Sequence, residues 1–281
     1  MPELPEVETI RRYLADVITA KMIVKVDILL ARQIKWPQPE GFRSMAIGHS
    51  IEAVKRRGKY LLLELDNNNK LIFHLRMTGR LVYAPDGNNN DTYARVILHF
   101  ADGSALVYGD TRTLGAIYAL KNDEIWRIHA LNAMGPEPLT ADFSADYLYN
   151  TAQKRKTAIK SFLLNQEIIG GIGNIYADEA LFLAKIFPKR PANSLTKKEC
   201  EKLYQAVNEV IAAGIRDGGT SFRDYKNGEG KKGAHQNKLL VYGRTGKPCT
   251  SCQTPIVKIT VGGRGTHYCP RCQAEITKNG D

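Results

Sequence analysis

The stretch 51-IEAVKRRGKYLLLELDNNNKLIFHLR-76 contains three short runs rich in Ile, Val, Leu, Tyr and Phe, separated by turn residues. Gly58 stands between the first two runs, and the tetrapeptide DNNN stands between the second and third. Short runs of this composition, bounded by Gly, Asn and Asp, are typical of antiparallel strands joined by tight turns. The stretch therefore predicts the centre of an antiparallel sheet.

The same signal continues on both sides of this stretch, from about residue 23 to residue 120. Further runs read VKVDILL, ARVILHF, SALVYG and GAIYAL, with the turn signals PDGNNND and ADG between them. Many short strands at this spacing indicate a β-sandwich or barrel. Before them, apolar residues recur at helical spacing over residues 3–20 and predict one amphipathic helix; they are Leu4, Val7, Ile10, Leu14, Val17 and Ile18.

The pattern changes to helical beyond residues 134–144. Ser, Thr and Asp caps precede predicted helices at 144–152, 155–166, 174–185 and 196–214. Residues 216–238 are rich in Gly and Lys without periodicity and predict a long mobile loop. We therefore expect an α+β protein of two domains, an N-terminal helix with an antiparallel β-sandwich and then a helical domain that ends in a cysteine module. The expected parts are 1–132, 133–238 and 239–281.

Four of the five cysteines lie close together near the C-terminus. They form two CxxC pairs, Cys249 with Cys252 and Cys269 with Cys272, at the spacing of a zinc ribbon. Four thiolates fill the tetrahedral coordination sphere of zinc and leave no place for water. The sequence therefore predicts one structural zinc ion; a redox pair or buried thiols are the alternative.

The net charge of +11 is high for 281 residues. Lys and Arg cluster at 55–59, 153–160 and 226–238, which favours a polyanionic partner such as nucleic acid. No stretch is long and apolar enough to span a membrane, and the N-terminus lacks the pattern of a signal peptide. With Cys200 alone and unpaired, these features predict a cytoplasmic protein.

Several positions have both a structural and a functional interpretation. Asn174 follows the glycine turn GGIG at the N-cap position of a predicted helix, which is a ready phosphate site as well as a simple cap. Arg264 lies among glycines that suit a hairpin tip. Met77 is either a core residue or a junction residue, Lys59 is either solvated or functional, and Leu114 beside Arg112 is a candidate wedge for a base stack.

Several segments together resemble the formamidopyrimidine-DNA glycosylases, bacterial enzymes that remove oxidised purines. The segments are MPELPEVETIRR, RRGKYL, GDTRTLG, GGIGNIYADEAL and YGRTGKPC followed by GGRGTHYCPRCQ. The resemblance runs in order over essentially the whole chain, and its two ends are the most specific parts. It implies a helical domain with a helix–two-turn–helix element, a zinc ribbon, and duplex DNA bound in a cleft with the damaged nucleotide flipped out.

By this resemblance the catalytic residues are Pro2, Glu3, Lys59 and Arg264. Once Met1 is removed, Pro2 carries a free secondary amine, whose pKa near 8 leaves much of it neutral at cellular pH. That amine attacks the sugar and expels the base, and the resulting iminium favours β- and δ-elimination of the phosphates. Glu3 moves the proton that opens the sugar ring.

The resemblance also assigns DNA contacts. Asn174, Arg155 and His74 belong to the phosphate-binding side, and Glu6 and Thr220 line or close over the pocket for the extruded base. Met77, Arg112 and Leu114 fill the gap that this base leaves, with Arg112 facing the orphaned cytosine. The implied partner is duplex DNA containing 8-oxoguanine or formamidopyrimidines. We expect the protein to be a monomer.

Two positions depart from the family pattern. Position 114 usually holds Phe and here holds Leu, which stacks less well on bases. Position 93 holds Tyr where a DNA-contacting His is common, so the DNA contact assigned to Tyr93 is the weakest of the set.

Three other functions fit parts of the sequence. An endonuclease VIII-like glycosylase shares the proline chemistry but prefers oxidised pyrimidines, and its start typically reads PEGPE rather than PELPE. A DNA-binding protein without catalysis would not need Pro2, Glu3 and Lys59 together. A zinc-ribbon module fused to an unrelated sandwich would not match the family in order across both domains.

Overall fold

The computed structural model describes residues 2–221, 225 and 227–275. The chain forms two compact units, one of residues 1–133 with 214–236 and one of residues 134–213 with 237–281. The three-part division expected from the sequence, with boundaries at 132 and 238, remains a prediction. Met1 lies outside the described residues.

The first unit contains an N-terminal helix, nine strands and two further short helices among its described residues. In chain order they are α1 (Leu4–Ile18), β1 (Ile23–Ile28), β2 (Ile34–Trp36), α2 (Pro39–Ala46), β3 (Ile51–Arg57), β4 (Tyr60–Leu65), β5 (Asn69–His74), β6 (Gly79–Ala84), β7 (Ala94–Phe100), β8 (Ala105–Asp110), β9 (Ala116–Lys121) and α3 (His129–Asn132). The strands β2 and β6 and the short helices α2 and α3 were not predicted from the sequence.

Two sheets organise these strands. One has the order β1-β7-β8-β6 and is antiparallel throughout; the other has the order β2-β9-β5-β4-β3. In the second sheet β2 pairs with β9 in parallel, with Ile34 beside Ile117, whereas the sequence analysis expected only antiparallel pairing. The three-residue β2 forms one edge of that sheet.

The core of the first unit lies between the two sheets and beneath α1. Leu61 and Phe73 of one sheet and Leu98 of the other are at most 1% exposed, and they join one cluster with Ile10 and Leu14 of α1. Full burial of each such side chain is worth about 1.5–3 kcal/mol. The helix that carries the N-terminal candidates is thus fixed to the sandwich by its apolar face.

The second unit is helical with a small two-stranded sheet. Its elements are α4 (Ala145–Ala152), α5 (Ile159–Leu164), α6 (Asn174–Leu183), α7 (Lys197–Arg216, whose last turn is grouped with the first unit), β10 (Val257–Val261) and β11 (Arg264–Tyr268). The predicted helix over 155–166 begins only at residue 159. Residues 155 and 156 form no helix, and the carbonyl of Arg155 accepts a hydrogen bond from the backbone N–H of Asn193.

The strands β10 and β11 meet at a two-residue turn. Gly262 and Gly263 have φ of +54° and +74°, the left-handed conformation that a type I′ hairpin requires at both positions. Arg264 is therefore the first residue after the turn rather than its tip. Within the described part of the chain, no helix is long and apolar enough to cross a membrane.

Candidate active site and metal centre

The beginning of α1 concentrates two buried carboxylates beside Pro2. Glu3 is the N-cap residue and is 2% exposed, and Glu6 in the first turn is 1% exposed. The Glu6 carboxylate accepts a hydrogen bond of 2.8 Å from the backbone N–H of Glu3, and the Glu3 side chain caps the helix in return. Helix N-termini favour negative charge, so both acids are stabilised there. Pro2 is buried at the same place.

The loop that contains Thr220 is fastened to this helix start. The backbone N–H of Thr220 donates to the second oxygen of Glu6 at 2.7 Å. Gly219 has φ of +83°, and a Cβ there would lie 2.9 Å from Cγ of Glu6, so only glycine fits. The hydroxyl of Tyr225 lies 3.2 Å from the carbonyl of Glu6. The predicted long loop is thus anchored where it is described; Phe222–Asp224 and Lys226 lie outside the described residues.

Lys59 lies in the two-residue turn between β3 and β4 and is 8% exposed. Gly58 before it has φ of +55°, as a Gly-X hairpin turn requires. Arg56 joins this turn to α1, because its guanidinium donates to the carbonyl of Gly58 at 3.0 Å and to Glu8 at 3.1 Å. The sequence reasoning did not identify Glu8 or Arg56.

Glu8 is held in its charged form by arginines. Burial raises its pKa, but hydrogen bonds from three guanidinium groups outweigh burial and lower it to about 2; the donors are Arg11, Arg12 and Arg56. The link between α1 and the Lys59 turn is therefore ionic across the physiological pH range.

His74 is the last residue of β5 and lies opposite Tyr60 of β4. The two rings pack edge to face, with their centres 4.4 Å apart. Its Nδ1 accepts the backbone N–H of Arg76 at 3.1 Å. Burial, followed by the positive charges of Arg76 and Lys59, lowers the pKa of His74 to about 3. The imidazole is therefore neutral and carries its proton on Nε2, where it is a hydrogen-bond donor.

We expect His74 to remain neutral, with its proton on Nε2, from about pH 5 to pH 9. Between about pH 6.5 and pH 3 the unfolded chain binds a proton at this residue and the folded chain does not. Its contribution to stability therefore falls as the pH falls through this window. Imidazole nitrogen chemical shifts followed by NMR check this, and a protonation midpoint above pH 5 would contradict it.

The three wedge candidates lie close together on the first unit. Met77, Arg112 and Leu114 are all exposed, and the Arg112 guanidinium lies 3.4 Å from the Met77 sulfur. The turn that carries the last two is held by Asp110, which is fully buried. Its carboxylate accepts hydrogen bonds from the hydroxyls of Thr78 and Tyr108 and from the backbone N–H groups of Arg112 and Gly115.

Sequence reasoning missed this buried polar cluster. Gln33 completes it, since its amide donates to the Tyr108 hydroxyl at 3.3 Å and to the carbonyl of Gly115 at 2.9 Å. The only signal in the sequence was Asp110 itself, a charged residue at the end of an apolar run.

Tyr93 is 44% exposed on the same unit. Two guanidinium carbons lie near its ring, that of Arg80 at 6.0 Å and that of Arg95 at 5.8 Å from the ring centre. Arg80 is also ion-paired with Asp91, and the DNA contact of Tyr93 stays a prediction.

On the second unit, Asn174 is the first residue of α6 and Gly173 is its N-cap, which corrects the predicted N-cap at Asn174. The Asn174 amide donates to the carbonyl of Gly265 at 3.0 Å and so joins α6 to the β10–β11 hairpin. Its Oδ1 is buried without a hydrogen-bond partner among the described residues. Arg155 and Arg264 are both exposed.

A buried ion pair holds the same hairpin. Lys160 and Asp178 are both fully buried, with Nζ 2.6 Å from the carboxylate. Lys160 also donates to Gly265 and Thr266, and Asp178 accepts the backbone N–H of His267 at 2.8 Å. Lys160 belongs to the basic run that was expected to contact a phosphate, but its charge is neutralised inside the protein.

We expect Lys160→Met to lower the free energy of unfolding of the second unit by about 3–5 kcal/mol, because Asp178 is left charged and buried without its partner. Urea unfolding followed by circular dichroism measures this. Lys197→Met is the control, since Lys197 and Asp146 form an exposed pair at 2.8 Å and should contribute nothing measurable. Equal stability of Lys160→Met and the parent protein would show that the buried pair is dispensable.

A second buried carboxylate fastens the chain as it enters the cysteine module. Glu179 of α6 accepts three consecutive backbone N–H groups, those of Leu240, Val241 and Tyr242, at 2.7–2.9 Å. Burial is the main influence on its pKa and raises it. Three consecutive backbone donors thus satisfy the buried Glu179 carboxylate. The sequence showed Glu179 only as one residue of a predicted helix.

The four cysteine sulfurs converge on one point. The Sγ atoms of Cys249, Cys252, Cys269 and Cys272 all lie within 4.8 Å of one another. Two of the separations are 3.9 Å and 3.4 Å, close to the roughly 3.8 Å between corners of a tetrahedron with zinc–sulfur bonds of about 2.3 Å. The residues present therefore fit one structural zinc ion, as predicted. Cys200 lies apart, buried on α7.

The structure thus gathers the predicted residues into two groups. The first unit carries Pro2, Glu3, Glu6, Lys59, His74, Met77, Tyr93, Arg112, Leu114 and Thr220. The second unit carries Arg155, Asn174, Arg264 and the four cysteines.

Family models match three segments of the chain. Residues 1–117 match the formamidopyrimidine-DNA glycosylase N-terminal domain, residues 134–226 match the formamidopyrimidine-DNA glycosylase H2TH domain, and residues 246–274 match the zinc finger found in FPG and IleRS. The three matches follow the order of the segments on which the resemblance was based.

Whole-chain relatives agree with the family models. The formamidopyrimidine-DNA glycosylase of Geobacillus kaustophilus is 46% identical over 97% of this chain and over its own full length. That of Desulforamulus reducens is 43% identical over 97% of this chain and 99% of its own length. A Lactococcus lactis Fpg complex with DNA containing an abasic site superposes with a TM-score of 0.91 at 36% identity, covering 97% of this chain and all of that one. The MutM (Fpg) protein of Thermus thermophilus superposes with a TM-score of 0.89 at 36% identity, and the match covers 98% of this chain and 99% of that one.

Proposed function

The chain belongs to the formamidopyrimidine-DNA glycosylase family, and from this premise we propose how its own residues carry out the reaction. It is a base-excision repair enzyme that removes oxidised purines from duplex DNA and has the lyase activity of its family. The names of the relatives place it with the purine-directed enzymes rather than with endonuclease VIII. The observation that carries the proposal is that Pro2 and Glu3, adjacent at the start of α1, are both buried.

We propose that Pro2, freed by removal of Met1, is the nucleophile. Its nitrogen forms a bond to C1′ of the damaged nucleotide while the bond from C1′ to the base breaks, and the base leaves with that electron pair. Glu3 takes the proton from the attached nitrogen and delivers it to the ring oxygen, so the sugar opens to an iminium. A secondary amine gives an iminium without an N–H proton, and its charge therefore persists.

The iminium acidifies the proton on C2′, and loss of that proton expels the 3′ phosphate. Lys59 lies in a turn that Arg56 and Glu8 fix to α1, which suits a group acting at the elimination steps. Arg264, at the start of β11, is proposed to hold the phosphate near the lesion and to assist the second elimination. His74 supplies a neutral Nε2–H donor for a phosphate. Asn174 and Arg155, on the second unit, are also proposed to bind phosphates.

The remaining candidates are proposed to handle the flipped nucleotide and its gap. Glu6 and the Thr220 loop are already joined by a hydrogen bond, so the loop has a fixed attachment from which to cover the extruded base. Met77, Arg112 and Leu114 enter the stack, with Arg112 facing the orphaned cytosine. Tyr93 contributes a weaker DNA contact.

The enzyme is proposed to act as a monomer in the bacterial cytoplasm, where the nucleoid DNA is. The net charge of +11 supports binding to a polyanion, and the zinc ribbon places Arg264 on a short rigid hairpin. The zinc ion, held by the four cysteines, takes no part in the chemistry because four thiolates complete its coordination.

Borohydride trapping tests the proposal. The protein is mixed with a duplex carrying 8-oxoguanine opposite cytosine, or with one carrying an oxidised pyrimidine, and the iminium is reduced to a stable amine and mapped. A covalent adduct at Pro2 that forms faster on the oxidised purine is expected. An adduct on another residue would remove Pro2 as the nucleophile, and no adduct despite DNA binding would remove the covalent mechanism.

A further inference from the structure

Both tryptophans of the chain lie together on the surface of the first unit. Trp36, the last residue of β2, is 42% exposed, and Trp126, in the 3₁₀ turn Asn122–Arg127, is 61% exposed. The guanidinium carbon of Arg127 lies 4.3 Å from the ring centre of Trp36 and 4.7 Å from that of Trp126. We call these three residues the Trp–Arg–Trp surface.

The surroundings of the Trp–Arg–Trp surface are cationic. Lys35 lies on β2 itself, Arg32 in the 3₁₀ turn Ala31–Gln33 directly before β2, and Lys121 at the end of β9 directly before the turn of Trp126; all three are exposed. The acids of the 3₁₀ turn are Asp123 and Glu124, and Glu124 accepts a hydrogen bond of 2.9 Å from Nε of Arg127. Four cations thus stand against two carboxylates. Stacking on the two rings holds the guanidinium in place, so Arg127 loses little freedom when it binds an anion.

This surface is continuous with the turn that carries the wedge. Arg32 donates to the hydroxyl of Thr113 at 2.8 Å, and Thr113 lies between the wedge residues Arg112 and Leu114. The strand β2 then runs parallel to β9 and places Trp36 beside Tyr118. Tyr118 follows Thr113 by five positions, and β9 begins only at Ala116, so the two residues are at most about 17 Å apart even for extended chain. At about 3.4 Å per nucleotide, this is at most about five base pairs.

We propose that the Trp–Arg–Trp surface is a second DNA contact, which binds the backbone of the strand opposite the lesion within about five nucleotides of the wedge. The proposal rests on the proposed function, because it takes the wedge turn as the point where that strand meets the protein. Arg127, with Arg32 and Lys35, binds phosphates, and the tryptophan rings pack on the adjoining sugars and exclude water from the ion pairs. Basic side chains interleaved with exposed aromatic rings are typical of nucleic-acid surfaces.

Intrinsic fluorescence tests the proposal directly, because both tryptophans belong to the surface. The full-length protein is titrated with duplexes that carry a tetrahydrofuran abasic-site analogue, with 3 to 12 base pairs on either side of it. Fluorescence anisotropy of labelled DNA measures binding in the same samples. Trp36→Phe and Trp126→Phe assign the emission to each ring.

We expect tryptophan emission to change only when the duplex extends at least about five base pairs on one side of the lesion analogue. Arg127→Ala should weaken binding of the long duplex about 3- to 10-fold and leave the short duplex unchanged. It should also reduce the slope of log K against log salt by about one, as one lost phosphate contact predicts. Arg43→Ala is the matched control, since Arg43 forms the same i,i+3 pair with Glu40 and should change neither value.

The outcomes separate this proposal from the proposed function. Tight binding of the long duplex without any change in tryptophan emission would overturn the second contact and leave the glycosylase assignment intact. A change in emission that depends on protein concentration, and not on DNA length, would identify the surface as a contact between copies of the chain. Failure to bind any lesion duplex would overturn both.

Discussion

Replacing Glu3 by glutamine lowers the rate of base excision by about 100- to 10,000-fold, the range typical for loss of a group that transfers a proton. Glutamine keeps the length of the side chain and an oxygen that can still accept the backbone N–H at the helix start. It cannot take the proton from Pro2 or deliver it to the sugar. The fold and the affinity for DNA should therefore change little, and the loss should appear in the chemical step.

Single-turnover excision from a duplex with 8-oxoguanine opposite cytosine measures this effect. Binding of a duplex with an abasic-site analogue, measured separately, should stay within about threefold of the parent. Glu40→Gln is the matched control, because Glu40 also lies in the first turn of a helix, but on α2 and with its side chain 83% exposed. Excision by Glu3→Gln within tenfold of the parent would assign the proton transfer to another group.

Replacing Cys269 by serine should remove the zinc ion and reduce affinity for lesion DNA by at least about 100-fold. Cys249 and Cys269 are fully buried and share a small core with Phe182, Val241 and Ile256. A structural zinc ion contributes about 10–16 kcal/mol to the folding of such modules. Without it the β10–β11 hairpin loses its support, and Arg264 and the backbone that Asn174 and Lys160 contact are no longer held in place.

Metal analysis and DNA-binding titrations measure the two parts of this prediction. Cys200→Ser is the control, because Cys200 is buried on α7 and does not belong to the cluster of four cysteine sulfurs. It should retain one zinc per chain and normal affinity. Full DNA affinity in a zinc-free Cys269→Ser protein would show that the hairpin is positioned without the metal.

The elements that could be predicted from the sequence are those whose pattern is local. The runs at 60–65 and 70–75 are bounded by turn residues and became β4 and β5, and the spacing of Leu4, Ile10 and Leu14 gave α1. The strand β2 has only three residues, too few for an alternating pattern, and it exists because β9 offers a parallel partner. The helix α2 begins with proline and has a short apolar face, so it was hidden among strands.

The site divides in the same way. The cysteine spacing is a local signal that predicts a zinc ion, and the family resemblance predicted the roles of Pro2, Glu3 and Lys59. The buried polar partners had little local signal. Asp110 ends an apolar run, Glu179 lies on a predicted helix and Lys160 belongs to a basic run, and charged residues at such places are usually solvated. Their roles depend on the backbone groups and counter-charges that tertiary contacts bring to them, which one sequence does not display.

The shortness of β2 also bears on solubility. An exposed sheet edge is a template on which another chain can add a strand, and proteins that work at high local concentration must block it. Here the edge offers only three residues, Lys35 places a positive charge on it, and Pro37 directly after it has no N–H to donate. A second copy therefore finds little backbone to pair with at this edge, and the net charge of +11 on each copy adds repulsion.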